Sequence, residues 1–272
     1  MVIFPGSKIN IGLNITAKRV DGYHDLESLF FPIPLSDILE INKSDRFSID
    51  LSGISIHGDP SDNLIVKAYH LMVAHYQIGA VKIHLHKIVP MGAGLGGGSA
   101  DGAATLVLLN KLFNLNLSDT KLEEHAQTLG SDCPFFIQNK PAYVKGTGNL
   151  MERQKVNLEN YWIQIVNPGI HISTQTAFSK IAPKNPLVDL RAVIAEPIDT
   201  WKDKVRNDFE PGIFDEFDEV RRVKETLYAN GALYASMTGT GSSVYGLFKE
   251  EPNSIRTSAL FSDFFEWTSI LK

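Results

Sequence analysis

Apolar and polar positions alternate early in the chain. Ile9, Ile11, Leu13 and Ile15 are interleaved with Lys8, Asn10, Gly12 and Asn14. A period of two predicts a strand with one apolar and one polar face, so Lys8 and Asn10 project to the same side. Asp21-Gly22 is a turn signal. Strands are expected from Leu26 to about Ile33 and around Ile38 to Ile41. The period then lengthens: Leu64, Ile65, Ala68, Leu71 and Met72 mark one helical face, opened by Ser61-Asp62-Asn63 and ended near Gln77 to Gly79. Val81, Ile83 and Leu85 return to alternation against Lys82, His84 and His86. Between Ser99 and Phe113 only Asp101 and Lys111 carry charge, which predicts a helix buried on most sides. Ser118 caps a further helix to about Leu129, with Gly130 at its end.

Gly146-Thr147-Gly148-Asn149 reads as a turn and as the expected close of a first domain over 1–150, leaving a second over 151–272. Tyr161 to Val166 has strand character and is closed by Asn167-Pro168-Gly169. Ser173 or Thr174 opens a helix, and Lys180 to Lys204 reads as an irregular connection. A helix is expected from about Asp215 to Ala229, with Gly231 suited to its end. Two strand-like runs flank a glycine turn between Ala235 and Phe248. A helix around Ile255 to Phe265 and a last strand from Trp267 to Leu271 complete the pattern, which by itself gives a mixed α and β fold.

Composition narrows the function class. A chain of 272 residues suits one large or two modest domains. Hydrophobic residues at 43% and charged residues at 21% indicate a folded globular protein. The formal net charge of −5 gives no general attraction to nucleic acid or to an anionic membrane. Cys133 is the sole cysteine, so no internal disulfide forms, which fits a reducing cytoplasm. Met1 to Lys8 lacks the charged start and long apolar run of a signal peptide. No apolar stretch approaches the roughly 18 residues of a membrane span.

The candidate chemistry centres on Pro90, Met91, Gly92, Ala93, Gly94, Leu95, Gly96, Gly97, Gly98 and Ser99. This loop lies between an expected strand and an expected helix. The first turn of a helix carries N–H groups with no partner inside it, and the aligned peptide dipoles add roughly half a positive charge. Glycines ahead of that turn let the backbone approach a ligand closely. The product is a nest of donors suited to phosphate. Ser99 adds a hydroxyl for a phosphate oxygen or a magnesium ion. The Walker pattern is excluded because no lysine closes the loop. The dinucleotide pattern expects an acidic residue closing a second strand about 20 residues on, where a polar helix start stands instead.

Pro90, Gly94, Leu95, Gly96 and Ser99 resemble the Pro-x-x-x-Gly-Leu-Gly-Ser-Ser-Ala nucleotide loop of the GHMP kinases, small-molecule kinases named for galactose, homoserine, mevalonate and phosphomevalonate. Ala100 departs from it, standing where many members carry a second serine. Ser7-Lys8-Ile9-Asn10 followed by Arg19-Val20-Asp21-Gly22-Tyr23-His24 is similar to the branch of that family acting on cytidine diphosphate methylerythritol. Gly130, Asp132 and Pro134 match a further family segment, and Gly239-Thr240-Gly241 resembles the third family motif, which packs beside the phosphate site.

The resemblance implies an α+β fold of two domains, the N-terminal one ribosomal-S5-domain-2-like and the C-terminal one ferredoxin-like. It implies ATP with Mg²⁺, and a small-molecule acceptor. Asp132 would be the catalytic base and Lys8 its partner. Tyr23, His24 and Phe178, with Asn10, Thr174, Gly239 and Thr240, would face the acceptor. No residue is singled out as a metal ligand, and a cytoplasmic monomer or weak homodimer is expected. Without the resemblance, Lys8 reads as a solvated edge lysine, His24 as a packing or surface histidine and Phe178 as core, while Asp132, between a helix-ending glycine and an apolar run, stays open between a catalytic carboxylate and a turn or capping residue. Cys133, beside Pro134 and two phenylalanines, reads as a small buried residue. Two other functions stay open: the same fold acting on another alcohol such as homoserine or mevalonate, against which Asp-Gly-Tyr-His argues, and a nucleotide-binding protein without catalysis, against which Lys8 and Asp132 argue.

Overall fold

The computed structural model describes residues 1–56, 58–186 and 188–272. In chain order, β1 (Val2–Ile3), β2 (Ser7–Lys18), β3 (His24–Ile33), β4 (Ile38–Lys43) and β5 (Ser48–Gly53) come first. Then follow α1 (Leu64–Tyr76), β6 (Val81–Lys87), α2 (Gly97–Leu112), α3 (Asp119–Leu129) and α4 (Cys133–Gln138). After these come β7 (Ala142–Lys145), β8 (Leu150–Arg153), β9 (Trp162–Asn167), α5 (Thr174–Ser179) and α6 (Leu190–Val193). The chain closes with α7 (Glu210–Glu216), α8 (Asp218–Ala229), β10 (Tyr234–Met237), β11 (Val244–Phe248) and β12 (Phe265–Ile270). The described residues form two compact units that interleave in sequence. One comprises Met1–Ser7, Leu35–Met91 and Gly96–Lys140, the other Lys8–Pro34, Gly92–Leu95 and Pro141–Lys272.

The first unit holds a sheet of order β1-β4-β6-β5. β5 runs parallel to β6, and the other pairs are antiparallel. The alternation of β6 places Val81, Ile83 and Leu85 in the core and Lys82 and His84 outside. Against that apolar set pack Ile65, Ala68 and Met72 of α1, Leu106 and Leu109 of α2, and Leu122 of α3. Asn63 caps α1 by accepting the Ile65 N–H at 2.9 Å, and Ser118 caps α3 by accepting the Lys121 N–H. The small residues Gly102, Ala103 and Ala104 let α2 lie close to α1. A Cβ at Gly102 would stand 3.0 Å from that of Leu64.

The second unit carries two sheets, β2-β3-β7-β8 and β10-β11-β9-β12. One core gathers Leu13 and Ile15 with Val166, Phe209, Met237 and Val244, and with the buried face of α8, Val220, Val223 and Leu227. The two runs around the second glycine turn form the antiparallel β10–β11 hairpin, as the pattern predicts. The mixed α and β content expected from the sequence is present.

Three expectations change. The helix from Asp215 to Ala229 is two helices. Pro211 sits in the first turn of α7, which therefore opens earlier, and Phe217 breaks the run with φ −124° and ψ 84° while packing on the core. The connection from Lys180 to Lys204 is not featureless: it contains α6 and a 3₁₀ turn at Ile198–Thr200. It buries Leu190, Val193 and Trp201, whose indole N–H donates to the Glu196 carbonyl. No α-helix forms from Ile255 to Phe265. A 3₁₀ turn at Ile255–Thr257 gives way to further turns, because Ser254, Thr257, Ser258 and Ser262 bond to nearby backbone groups and compete with helical hydrogen bonds.

Leu106 is fully buried in α2. Leu106→Ala is expected to lower unfolding free energy by about 2–5 kcal/mol, read as a lower urea midpoint at unchanged slope.

Candidate active site

In the second unit, the polar face of β2 carries Lys8, only 3% exposed. The solvated-edge reading of this lysine is therefore wrong. Burying an ammonium among apolar groups is costly unless acceptors surround it. Lys8 Nζ donates to Asn10 Oδ1 at 2.7 Å and to the Gly94 carbonyl at 3.1 Å, and stands 4.7 Å from the centroid of the Phe30 ring. Its backbone N–H donates to the Leu95 carbonyl at 2.9 Å. Strand spacing supplies the Asn10 partner. The glycine loop supplies the other.

Asn10 is held in turn. Its Nδ2 donates to Ser28 Oγ at 2.8 Å, and its N–H donates to Thr238 Oγ1 at 3.0 Å. The Thr238 hydroxyl donates to the Gly94 carbonyl at 3.0 Å, with Asn10 Oδ1 3.2 Å away. Gly94 has φ +77°, and a Cβ there would lie 1.9 Å from the Thr238 carbonyl oxygen. Only glycine allows that approach. The Gly239 turn thus packs on the Gly92–Leu95 stretch, and Ser243 N–H donates to the Ala93 carbonyl. Asn207, fully inside, fixes the turn from below: its Nδ2 donates to the carbonyls of Met237 at 2.8 Å and Gly239 at 2.9 Å.

His24 and Phe178 come together, their rings stacked with centroids 4.8 Å apart and planes 25° from parallel. Phe178 also meets Phe209 edge-on, which places it partly in the core. Tyr23 is 67% exposed on the β2–β3 turn, where Asp21 accepts its N–H. Thr174 is exposed at the start of α5, whose cap is Ser173, and Thr240 is half-buried in the β10–β11 turn.

In the first unit, Gly96 (φ +73°) caps α2 without a side-chain hydrogen bond. The N–H groups of Gly97, Gly98 and Ser99 form its first turn, with no acceptor inside the helix. A Cβ on Gly98 would meet nothing within 4 Å, so this turn has an open side. Pro90 is buried and Met91 is 46% exposed. Asp132 occupies the cap position of α4, yet its side chain makes no cap hydrogen bond, so the capping reading does not account for it. Next to it, Cys133 is fully buried, and desolvation pushes its thiol up to about 11, offset in part by a hydrogen bond with Ser99. Helices α2 and α4 pack on each other.

The sequence reading missed a cavity of about 430 Å³ in this unit. Ile49, Leu51, Ile56, Leu64 and Val66 give it apolar walls, and Asn63, Lys87, Met91, Gly98 and Asp101 border it. Its size and lining suit one planar aromatic group. At one side Lys87 Nζ bonds Asp37 Oδ2 and, at 2.8 Å, Asp101 Oδ2, all nearly fully buried. Asp37 Oδ1 also accepts the N–H groups of Ile88 and Val89. Burial raises Asp101 to about 7; Lys87 opposes the shift and the charge of Asp37 adds to it. The available signal was Asp101 itself, a carboxylate on an otherwise apolar helix face. Thr238 and Asn207 were missed because their role is to hold main chain from a distance in sequence.

Among the described residues no group of three His, Cys, Asp or Glu is gathered to hold a metal ion, and no helix is long and apolar enough to cross a membrane.

Residues 63–140 match the model of the GHMP kinases N terminal domain, and residues 190–260 match that of the GHMP kinases C terminal. A 4-diphosphocytidyl-2-C-methyl-D-erythritol kinase of Bacteroides fragilis is 49% identical over 92% of this chain and 93% of its own. One of Parabacteroides distasonis is 45% identical over 98% of each. A crystal structure of 4-(cytidine 5'-diphospho)-2C-methyl-D-erythritol kinase superposes with a TM-score of 0.79 at 29% identity, covering 98% of both chains. The homoserine kinase of Cytophaga hutchinsonii shares the fold, with a TM-score of 0.68 at 15% identity over 98% of this chain and 94% of its own. The architecture is the two-domain GHMP kinase fold.

Thr238→Val removes the hydroxyl that serves both Asn10 N–H and the Gly94 carbonyl. It should cost about 1–3 kcal/mol in chemical unfolding, while Thr238→Ser stays near wild type. Gly94→Ala combines a left-handed backbone cost of about 1–2 kcal/mol with a main-chain clash, and its melting temperature should fall below that of Gly98→Ala.

Proposed function

The chain belongs to the GHMP kinase family, and from that membership we propose how its residues divide the work of ATP-dependent phosphorylation of 4-diphosphocytidyl-2-C-methyl-D-erythritol. The reaction carries the γ-phosphoryl group to the 2-hydroxyl, giving the 2-phosphate and ADP, a step in non-mevalonate isoprenoid precursor synthesis. The observation that carries the reading is the buried Lys8, tied through Gly94 to the glycine loop. A lysine placed for solubility would not be anchored to a loop carbonyl 86 positions away.

Phosphoryl transfer demands placement and charge neutralisation more than covalent chemistry. The open first turn of α2, Gly97 to Ser99, supplies N–H donors for the phosphates, and the adjoining cavity accommodates the base. Mg²⁺, where bound with the nucleotide, would supply charge neutralisation on the phosphates. Asp132 accepts the hydroxyl proton as general base. Lys8 steadies charge on the transferred group. The stacked His24 and Phe178, with Tyr23, recognise the cytosine ring, and Asn10, Thr174, Gly239 and Thr240 border the acceptor. The single buried cysteine suits a reducing cytoplasm, and a monomer or weak homodimer completes the reading.

Asp132→Ala and Lys8→Ala should each lower turnover at least ~10²-fold in an ADP-release assay with the cytidine diphosphate substrate, at near-native melting temperature for Asp132→Ala. Full activity in Asp132→Ala removes the base assignment. Offered homoserine or mevalonate instead, the wild-type protein should release ADP only at background rate.

A further inference from the structure

The acceptor carries a diphosphate between its cytidine and its methylerythritol, and the residues assigned to it leave that charge unanswered. Tyr23, His24 and Phe178 offer ring faces to the base, and Lys8 serves the transferred group. Arg19, on the β2–β3 turn beside Tyr23, is already paired with Asp21 at 3.0 Å and Asp25 at 3.2 Å. With a formal net charge of −5, the chain offers an anion no general attraction. A local donor is required.

His171 of the second unit is placed for that task. It lies between β9 and α5, three residues ahead of Thr174 and seven ahead of Phe178. Its neighbours Ile170 and Ile172 pack into the core, while its own side chain is exposed. Gly92 has φ +61°, and a Cβ built there would stand 3.2 Å from His171 Nδ1 and 3.5 Å from Cε1. The edge of the imidazole therefore borders the space that a side chain at position 92 would fill. Among the described residues neither ring nitrogen has a hydrogen-bond or ion-pair partner.

Buried polar groups fix the segment that carries this ring. Asn167, 6% exposed, donates from Nδ2 to Ser242 Oγ at 3.1 Å and to Ser243 Oγ at 3.0 Å, and its Oδ1 accepts the Gly169 N–H at 2.9 Å. Ser242 Oγ donates to the Ile170 carbonyl at 2.6 Å, and Ser173 caps α5. Ser243 N–H donates to the carbonyl of Ala93, next to Gly92. One network thus holds both His171's segment and the glycine stretch that it faces. A donor on a segment already ordered loses little freedom when a ligand arrives.

We infer that His171 binds the diphosphate of the acceptor, a ring N–H donating to a phosphate oxygen beside Gly92. The inference rests on the reading of the second unit as the acceptor side and adds the group that answers the acceptor's charge. Either tautomer of the ring carries one N–H and the cation carries two, so a donor is always present. Helix α5 has six residues and is about 9 Å long, a length that a nucleoside diphosphate covers from base to phosphates. ATP carries phosphates as well. Gly92–Leu95 clusters with the acceptor-side residues in the second unit, whereas the nest of Gly97 to Ser99 belongs to the first, which favours the acceptor.

Calorimetric titration of the full chain with cytidine, CMP and CDP tests this on wild type, His171→Ala and His171→Gln, beside steady-state ADP release. Wild type should bind CDP more tightly than cytidine. His171→Ala should lose about tenfold or more in affinity for CDP and keep its affinity for cytidine. His171→Gln retains a side-chain N–H and should recover part of the loss. Both variants should melt as wild type does, because the ring is exposed. In the ADP-release assay, the KM for the acceptor should rise in His171→Ala while that for ATP holds. Unchanged CDP affinity, or equal losses for CDP and cytidine, overturns the assignment. A rise confined to the KM for ATP also overturns it, by placing the ring on the triphosphate. Wild-type protein that binds none of the three cytidine compounds overturns the acceptor reading itself.

Discussion

A buried ammonium needs acceptors, and those of Lys8 include the Asn10 side chain and the Gly94 carbonyl. Much of the second unit follows from that requirement. The carbonyl is presented by a residue at positive φ, so position 94 has to be glycine. The missing Cβ leaves room for the Thr238 carbonyl, and the Thr238 hydroxyl returns to bind both Asn10 and Gly94. Asn207 then holds the carbonyls on either side of Thr238. Four segments, distant in sequence, are fixed around one positive charge. Each fixes the next through main-chain atoms, which move less than side chains.

The first unit answers a related demand with opposite sign. Lys87 is shared by Asp37 and Asp101, and burial makes every unmatched charge expensive. Replacement of such a cluster by apolar residues often leaves stability unchanged or improved. The cluster lies beside the cavity of about 430 Å³.

The strands and long helices were legible wherever burial imposed one clear period, as in β2, β6 and α1. The glycine loop and its helix start were legible because their chemistry is local: one stretch supplies both the bend and the donors. Asp132 could be marked as a candidate, but its freedom from a capping role needed coordinates. Lys8 was misjudged on composition alone, since a lysine's burial depends on Gly94, 86 positions on. The same limit hid the cavity. Its lining comes from β5, the turn before α1, the first turn of α1, the end of β6 and α2, and no periodicity in any one of them announces a shared void. The failed helix around Ile255 to Phe265 has a different cause, serine and threonine side chains outcompeting helical bonds one at a time.

Cys133 has a practical corollary. The sole thiol of the chain is sealed in the core, and its ionisation lies far above neutrality. The native protein therefore offers maleimide chemistry no background. A fluorophore carried by Met91→Cys, on the exposed rim of the cavity, would report occupancy from one known address without any prior removal of native cysteine.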